Sequence, residues 1–179
     1  IFRFSMQTRY LLFIILFLSS FLNLYGMSRG DPINDEVLIG FRALGLMDFD
    51  EAALQTTPFE WFDDEEIPWW AHLSFHDHPP LVFWIEHASL AIFGENNWGL
   101  RIPSALLGVA SVYLLYVIGR RLYSREIGQL SAALFGITVN HIYISRTGMQ
   151  EAYVIFFMLL AIYFFIRALR EGRTPTQPS

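Results

Sequence analysis

Residues 98–121 read WGLRIPSALLGVASVYLLYVIGRR. From Trp98 to Gly119 the run is apolar apart from Arg101 near its start, and it stops at Arg120-Arg121. A helix needs about 20 predominantly apolar residues to cross the hydrocarbon core of a bilayer. This stretch therefore reads as a transmembrane helix with its basic end at one membrane surface, and it makes the chain a membrane protein. Three further apolar stretches repeat the pattern: residues 10–25 before it, and 127–144 and 149–168 after it. The predicted fold is all-α, a polytopic membrane bundle of about four transmembrane helices with an outer loop that carries short juxtamembrane helices.

The arginines orient these spans. Arg3 and Arg9 precede the first, Arg120, Arg121 and Arg125 lie in the 120–126 loop, and Arg167, Arg170 and Arg173 end the fourth span or follow it. With four crossings all three clusters fall on one side, which the positive-inside rule makes cytoplasmic. Residues 1–9 and 169–179 are then cytoplasmic, and the 26–97 loop and the 145–148 turn face outward. The first span, with a basic start and no small-residue cleavage site after it, reads as an uncleaved anchor rather than a signal peptide. Residues 80–93 form a fifth apolar run, about 21 Å long as a helix, with Glu86 and His87 in its middle. That is short for a crossing, and it predicts a helix lying along the outer interface, flanked by tryptophans in the manner of an interfacial belt. The expected localisation is the cytoplasmic (inner) membrane, with the active face outward.

Composition agrees. Apolar residues make up 54% of the 179, aromatic residues 17% and charged residues 16%, the last below the soluble average of about 25%. Fourteen of the 17 acids lie between Asp31 and Glu95, and all 12 basic residues are arginine, so the net charge of -5 belongs to one loop. No basic face is available for nucleic acid. The absence of cysteine excludes disulfides and thiolate metal sites.

The outer loop holds most of the chemistry-bearing residues. Residues 35–46 read as a helix with Val37, Leu38, Phe41 and Leu44 on its apolar face. Asp35 and Glu36 occupy its first turn, where the helix dipole favours ionised carboxylates. Residues 48–70 are acidic and aromatic; Asp63-Asp64-Glu65-Glu66 reads as a solvated charge run, with a divalent-cation site as the alternative. His78, ahead of Pro79-Pro80, stands where the loop meets the interfacial helix. It suits a polar headgroup or phosphate contact, and His72, His76, Asp77 and His78 have a metal site as their minority reading; no metal ligand is assigned.

Two arginines and one further acid sit at the same outer level. Arg101 either snorkels to the interface, holds a phosphate or pairs with a loop acid. Arg146 and Glu151 flank the tight turn between the third and fourth spans, and either form a boundary salt bridge or act on substrate; an acid within an apolar span is a functional candidate. Together Asp35, Glu36, His78, Arg101, Arg146 and Glu151 can reach one interface. An acid there could deprotonate an acceptor hydroxyl, and cations could neutralise a departing phosphate. Glycosyl transfer from a polyprenyl-phosphate sugar needs both. The alternative is a non-catalytic polytopic protein, such as a transporter subunit or lipid flippase.

The order of several short motifs resembles the GT-C membrane glycosyltransferases, specifically the protein mannosyltransferase and aminoarabinose transferase group (glycosyltransferase family 39). They are Asp35-Glu36, His78-Pro79-Pro80-Leu81, Ile92-Phe93-Gly94, Leu100-Arg101-Ile102-Pro103-Ser104-Ala105-Leu106, Gly119-Arg120-Arg121-Leu122, and Ser145-Arg146 followed by Glu151. The resemblance implies Asp35 as catalytic base with Glu36 beside it. It makes Glu151, where many relatives carry Asp, a second catalytic-site residue, and His78, Arg101 and Arg146 substrate contacts. It further implies a polyprenyl-phosphate sugar donor embedded among membrane lipids, an acceptor that is a glycan, lipid or protein of the cell envelope, and inverting transfer at the outer face. Family members have many more spans, so the chain reads as the N-terminal part of such an enzyme, and its activity alone is not expected.

Overall fold

The computed structural model describes residues 2–33, 35–44 and 80–171, with side chains described from residue 10 onward. Among these residues every regular element is a helix: α1 (Phe2–Leu24), α2 (Asp35–Ala43), α3 (Pro80–Phe93), α4 (Asn97–Leu122), α5 (Arg125–Ile137), α6 (Val139–Arg146) and α7 (Glu151–Glu171). The protein is an all-helical membrane bundle. Helices α4 and α7 are each long and apolar enough to cross a membrane; α5 and α6 reach that length only together, and Tyr10–Leu24 and α3 are shorter apolar helices. Phe13, Phe17 and Phe21 of α1 and Phe164 and Phe165 of α7 are exposed, as side chains facing lipid are.

Helix α4 is the axis of the bundle, packed against α1, α3, α5, α6 and α7. Its neighbours approach closely wherever it carries glycine. A Cβ on Gly119 would stand 2.8 Å from Cα of Gly128 on α5, and one on Gly108 would stand 2.2 Å from Oγ of Ser145 on α6. Small residues let membrane helices gain dispersion contacts that apolar side chains alone could not distinguish from lipid. Ile15, Val112, Tyr116 and Ala132 form one buried cluster between α1, α4 and α5, and Leu114, Ile118, Leu159 and Ile166 form another between α4 and α7.

The predicted 127–144 span is broken. Helix α5 ends at Ile137, Thr138 is extended (φ -66°, ψ 125°), and α6 leaves at 63°. The Thr138 hydroxyl donates to the Leu134 carbonyl at 2.8 Å, a back-bond that bends helices. Hydropathy does not register this break, because Ile137, Thr138 and Val139 keep the run apolar on both sides.

Helix α2 starts at Asp35, and its buried face is Glu36, Ile39, Gly40, Arg42 and Ala43. Phe41, expected on the apolar face, is exposed. The stripe turns because Glu36 and Arg42 are drawn inward. Helix ends at Ala43; residues 45 and 46 of the predicted helix, the acidic 48–70 stretch, and His72, His76, Asp77 and His78 all lie outside the described residues.

Helix α3 docks on α4 through a proline. Pro103 has no N–H to offer the Gly99 carbonyl one turn earlier, and that carbonyl instead accepts a hydrogen bond from the buried Ser89 hydroxyl of α3. Gly94 (φ +90°) turns the chain between the two helices, and Asn96 caps α4 by accepting from the N–H groups of Trp98 and Gly99. At the far end of the bundle Arg121 donates to the Tyr163 hydroxyl at 3.2 Å, and Arg170 donates to the Arg121 carbonyl. The arginine clusters after α4 and at the end of α7 therefore share one end, opposite α2 and the start of α4.

Candidate functional site

The site is built on Arg101, in the second turn of α4 and only 4% exposed. Its Nε donates to one oxygen of Glu36, and its Nη2 to the other at 2.9 Å. Glu36 is fully buried. A two-pronged pairing of guanidinium and carboxylate combines charge with fixed geometry, and burial makes it necessary, since either partner alone would leave an uncompensated charge out of water.

The remaining donors of Arg101 gather the 25–33 segment. Nη1 donates to the carbonyls of Met27 at 2.6 Å and Arg29 at 3.1 Å, and Nη2 reaches the Asp31 carbonyl at 3.4 Å. Carbonyls so close in sequence converge on one cation only if the chain coils tightly. Gly26 (φ +66°) and Gly30 (φ +80°) supply left-handed backbone that other residues rarely adopt. Asn97 braces the same coil by donating to the Ser28 and Gly30 carbonyls at 3.1 and 2.8 Å. Glu36 in turn accepts from the backbone N–H of Ile33 at 3.3 Å and of Gly148 at 3.0 Å. One ion pair thus joins α2, α4, the segment after α1 and the turn before α7. Of the readings open to Arg101, the structure shows the loop-acid pair, and all five of its N–H groups are engaged within the chain.

Asp35 lies beside Glu36 in the first turn of α2 but is exposed. One step along a helix turns a side chain by about 100°, so one acid of the pair faces the core and the other faces out. Arg146 is half-buried and donates to the Leu22 carbonyl at 3.0 Å. Among the described residues it makes no salt bridge with Glu151. Together with Met27, Arg29, Asp31, Ile33, Arg101, Tyr143 and Thr147 it lines a recess of ≈ 210 Å³. Arg29 stacks over the Tyr25 ring, 5.6 Å from its centre. Since Arg101 is neutralised by Glu36, Arg29 and Arg146 against Asp31 leave this recess net positive.

Glu151 begins α7, three residues beyond the Gly148 N–H that binds Glu36. It is half-buried, and its Oε2 has no hydrogen-bond partner among the described residues. It does not line the recess. The structure therefore brings Asp35, Glu36, Arg101 and Arg146 to one end of the bundle, sets Glu151 one turn away, and leaves His78 outside the described residues. Arg29 is a lining residue that the sequence reading does not single out, and the signal that could find it is a basic residue inside the otherwise acidic 26–97 loop. Among the described residues no three His, Asp or Glu side chains cluster to hold a metal.

The chain is similar to two proteins of Bacillus subtilis (strain 168). It is 27% identical over 169 residues to "Putative mannosyltransferase YkcB", covering 90% of this chain and 21% of that protein, and 27% identical over 164 residues to "Putative mannosyltransferase YycA", covering 90% and 22%. It is 30% identical over 112 residues to undecaprenyl phosphate-alpha-4-amino-4-deoxy-L-arabinose arabinosyl transferase 1 of Pseudomonas fluorescens (strain Pf0-1), covering 60% of this chain and 19% of that protein. The chain thus spans about a fifth of the length of these curated relatives. No solved structure matches it. The family model described as dolichyl-phosphate-mannose-protein mannosyltransferase matches residues 77–176, from the segment ahead of α3 to beyond α7, and the chain belongs to that family.

Proposed function

We propose that this chain carries the acceptor-activating end of a membrane glycosyltransferase, which moves a sugar from a polyprenyl phosphate to an acceptor hydroxyl on a glycan, lipid or protein. The observation that carries this reading is the division of labour within Asp35-Glu36. Glu36 is fully buried against Arg101, while Asp35 stands exposed at a rigidly held helix start. The buried pair fixes the backbone; the exposed acid is left to act on substrate.

In the proposed step the Asp35 carboxylate takes the proton of the acceptor hydroxyl. The oxygen attacks the anomeric carbon, the bond from that carbon to the phosphate oxygen breaks, and polyprenyl phosphate leaves with the bonding pair. A single displacement of this kind inverts the anomeric centre. The developing phosphate charge falls to Arg146 and Arg29, which line the recess beside the Arg101–Glu36 pair. Fixed cations in a partly desolvated site stabilise such charge without reorganising. Glu36 and Arg101 are positioning residues. Glu151 and His78 stand as further candidates, the first for a donor hydroxyl or the sugar, the second for the headgroup.

The positive-inside rule, with Arg121 and Arg170 at the opposite end of the bundle from Asp35, supports the reading of a site at the outer face of the cytoplasmic membrane. Polyprenyl-phosphate transferases among the relatives support the class of donor. The test is release of label from radiolabelled polyprenyl-phosphate sugars by membranes carrying the full-length protein. Release by the wild type and its loss in Asp35→Asn is the expected result. No release with any donor, from folded protein, would favour a transporter or flippase.

A further inference from the structure

Glu86 lies in the middle of α3, fully buried. Helix α3 is too short to span the membrane, so the usual explanation of a buried acid as an ion pathway does not apply. The Tyr153 hydroxyl of α7, itself 2% exposed, donates to Glu86 Oε1. Oε2 has no partner among the described residues. Around this contact Ile39 of α2, Val82 and Phe83 of α3, and Ala152 and Tyr153 of α7 form one buried apolar cluster.

Among the described residues no cation is paired with Glu86. The titratable and charged groups on the parts of the surrounding elements nearest it include Asp35, Glu36 and Arg42 of α2, Arg101 of α4, His87 of α3 itself, and Glu151 and Tyr153 of α7. Arg101 is committed to Glu36. Arg42 lies over the Phe83 ring at 5.7 Å, and His87 holds the Ala43 carbonyl at 2.8 Å. Burial, opposed in part by the Tyr153 hydrogen bond and reinforced by the charge of Glu36, holds the Glu86 carboxyl well above the usual carboxylate range. A lone buried charge is several times more costly than a neutral acid in the same place.

We propose that Glu86 is a positioning residue, tying α3 to α7 through the Tyr153 hydroxyl and thereby holding the α2 helix that carries Asp35. The chain of contacts is continuous. Tyr153 fixes α3 on α7, Ile39 sits in the same cluster as Val82 and Phe83, and His87 grips the last turn of α2. Asp35 is thus held from two sides, by the Glu36–Arg101 pair at one end of α2 and by α3 at the other. The part of this inference that concerns Asp35 rests on the function proposed above; the tie between α3 and α7 does not.

Two measurements on the full-length protein in detergent and in membranes separate these parts. The first is thermal unfolding against pH. A carboxyl held high in the folded state binds its proton there over a range in which the unfolded chain has lost it, so stability falls as pH rises from the ordinary glutamate value to the folded one. Glu86→Gln keeps a neutral acceptor for Tyr153, and it is expected to retain the wild-type melting temperature at low pH and to flatten its decline as pH rises. Glu86→Ala and Tyr153→Phe should melt lower at every pH. An unchanged pH slope in Glu86→Gln, or a Tyr153→Phe protein as stable as wild type, overturns the tie. The second is the rate of label release. Glu86→Gln should retain kcat within about twofold and lose less of it at alkaline pH than wild type does, whereas Glu86→Ala should lower kcat more than it raises KM. A folded Glu86→Gln as inactive as Glu86→Ala overturns the positioning role in favour of direct proton transfer. Absence of release from the wild type would instead remove the function proposed above, leaving the melting data to decide the tie.

Discussion

Arg101 and Glu36 meet across 65 residues of sequence, with Nε and Nη2 of the one each donating to a different oxygen of the other. The pair is the junction of the site because each partner also holds backbone from elsewhere: the carbonyls after α1 on the arginine side, the N–H groups of Ile33 and Gly148 on the glutamate side. Losing either residue does more than remove one bond. It leaves the other charge buried and releases at least two segments of chain.

Replacement of one partner should therefore destabilise sharply. Arg101→Met or Glu36→Leu alone is expected to lose about 3–5 kcal/mol, the range for a buried pair broken on one side. The double variant should lose less than the sum, because no unpaired charge remains. Unfolding of the four proteins in detergent forms the cycle; additive losses would mean that the two side chains do not depend on each other.

Asp35→Asn should behave in the opposite way. The side chain is exposed, so the melting temperature is expected to stay near that of wild type, while transfer falls by about 10²–10⁴-fold, the usual contribution of a positioned general base. Glu36→Gln, at a positioning residue, should instead lower stability and transfer together. A stable, fully active Asp35→Asn protein would remove the base from Asp35.

The contrast between these neighbours shows where sequence reading stops. Two adjacent acids at a helix start have the same chemistry on paper, and the stripe Val37, Leu38, Phe41 pointed the helix the wrong way. The buried stripe of α2 contains Glu36 and Arg42 because Arg101 lies opposite the first and Phe83 under the second, and neither partner is near in sequence. The run of α4 was legible because only Arg101, near its start, interrupts its apolar length. The break at Thr138 was not, since it turns on one hydroxyl bonding one carbonyl. Glu86 was visible as an anomaly in an apolar run, but its burial depends on Tyr153, 67 residues later.

The recess beside the ion pair predicts a charge-specific effect on donor binding. Arg146→Ala and Arg29→Ala should each raise KM for the lipid-phosphate donor, by about tenfold if the lost contact to phosphate is worth about 1.5 kcal/mol, the low end of the range for hydrogen bonds to charged groups. Arg146 also holds the Leu22 carbonyl, so Arg146→Lys separates the roles: it keeps the charge but not the forked geometry. Donor titrations at several salt concentrations provide the check. A KM that is unchanged in Arg29→Ala would leave Arg146 alone to hold the phosphate.

Gly108 offers a packing test away from any charge. A Cβ there would lie 2.2 Å from Ser145 Oγ and 2.5 Å from Ser145 Cβ, so α4 and α6 must separate to admit it. Gly108→Ala is expected to destabilise by about 1–3 kcal/mol, the range for overpacking, despite the better helix propensity of alanine. Ser145→Ala in the same protein should not restore stability, because the contact with Cβ remains; Ser145→Gly should restore most of it. The separation would also shift Arg146, the next residue on α6, away from the Leu22 carbonyl. Gly108→Ala should thus raise donor KM while leaving Asp35 in place. Full recovery with Ser145→Ala would instead identify the hydroxyl, rather than the approach of the two backbones, as what fixes this crossing.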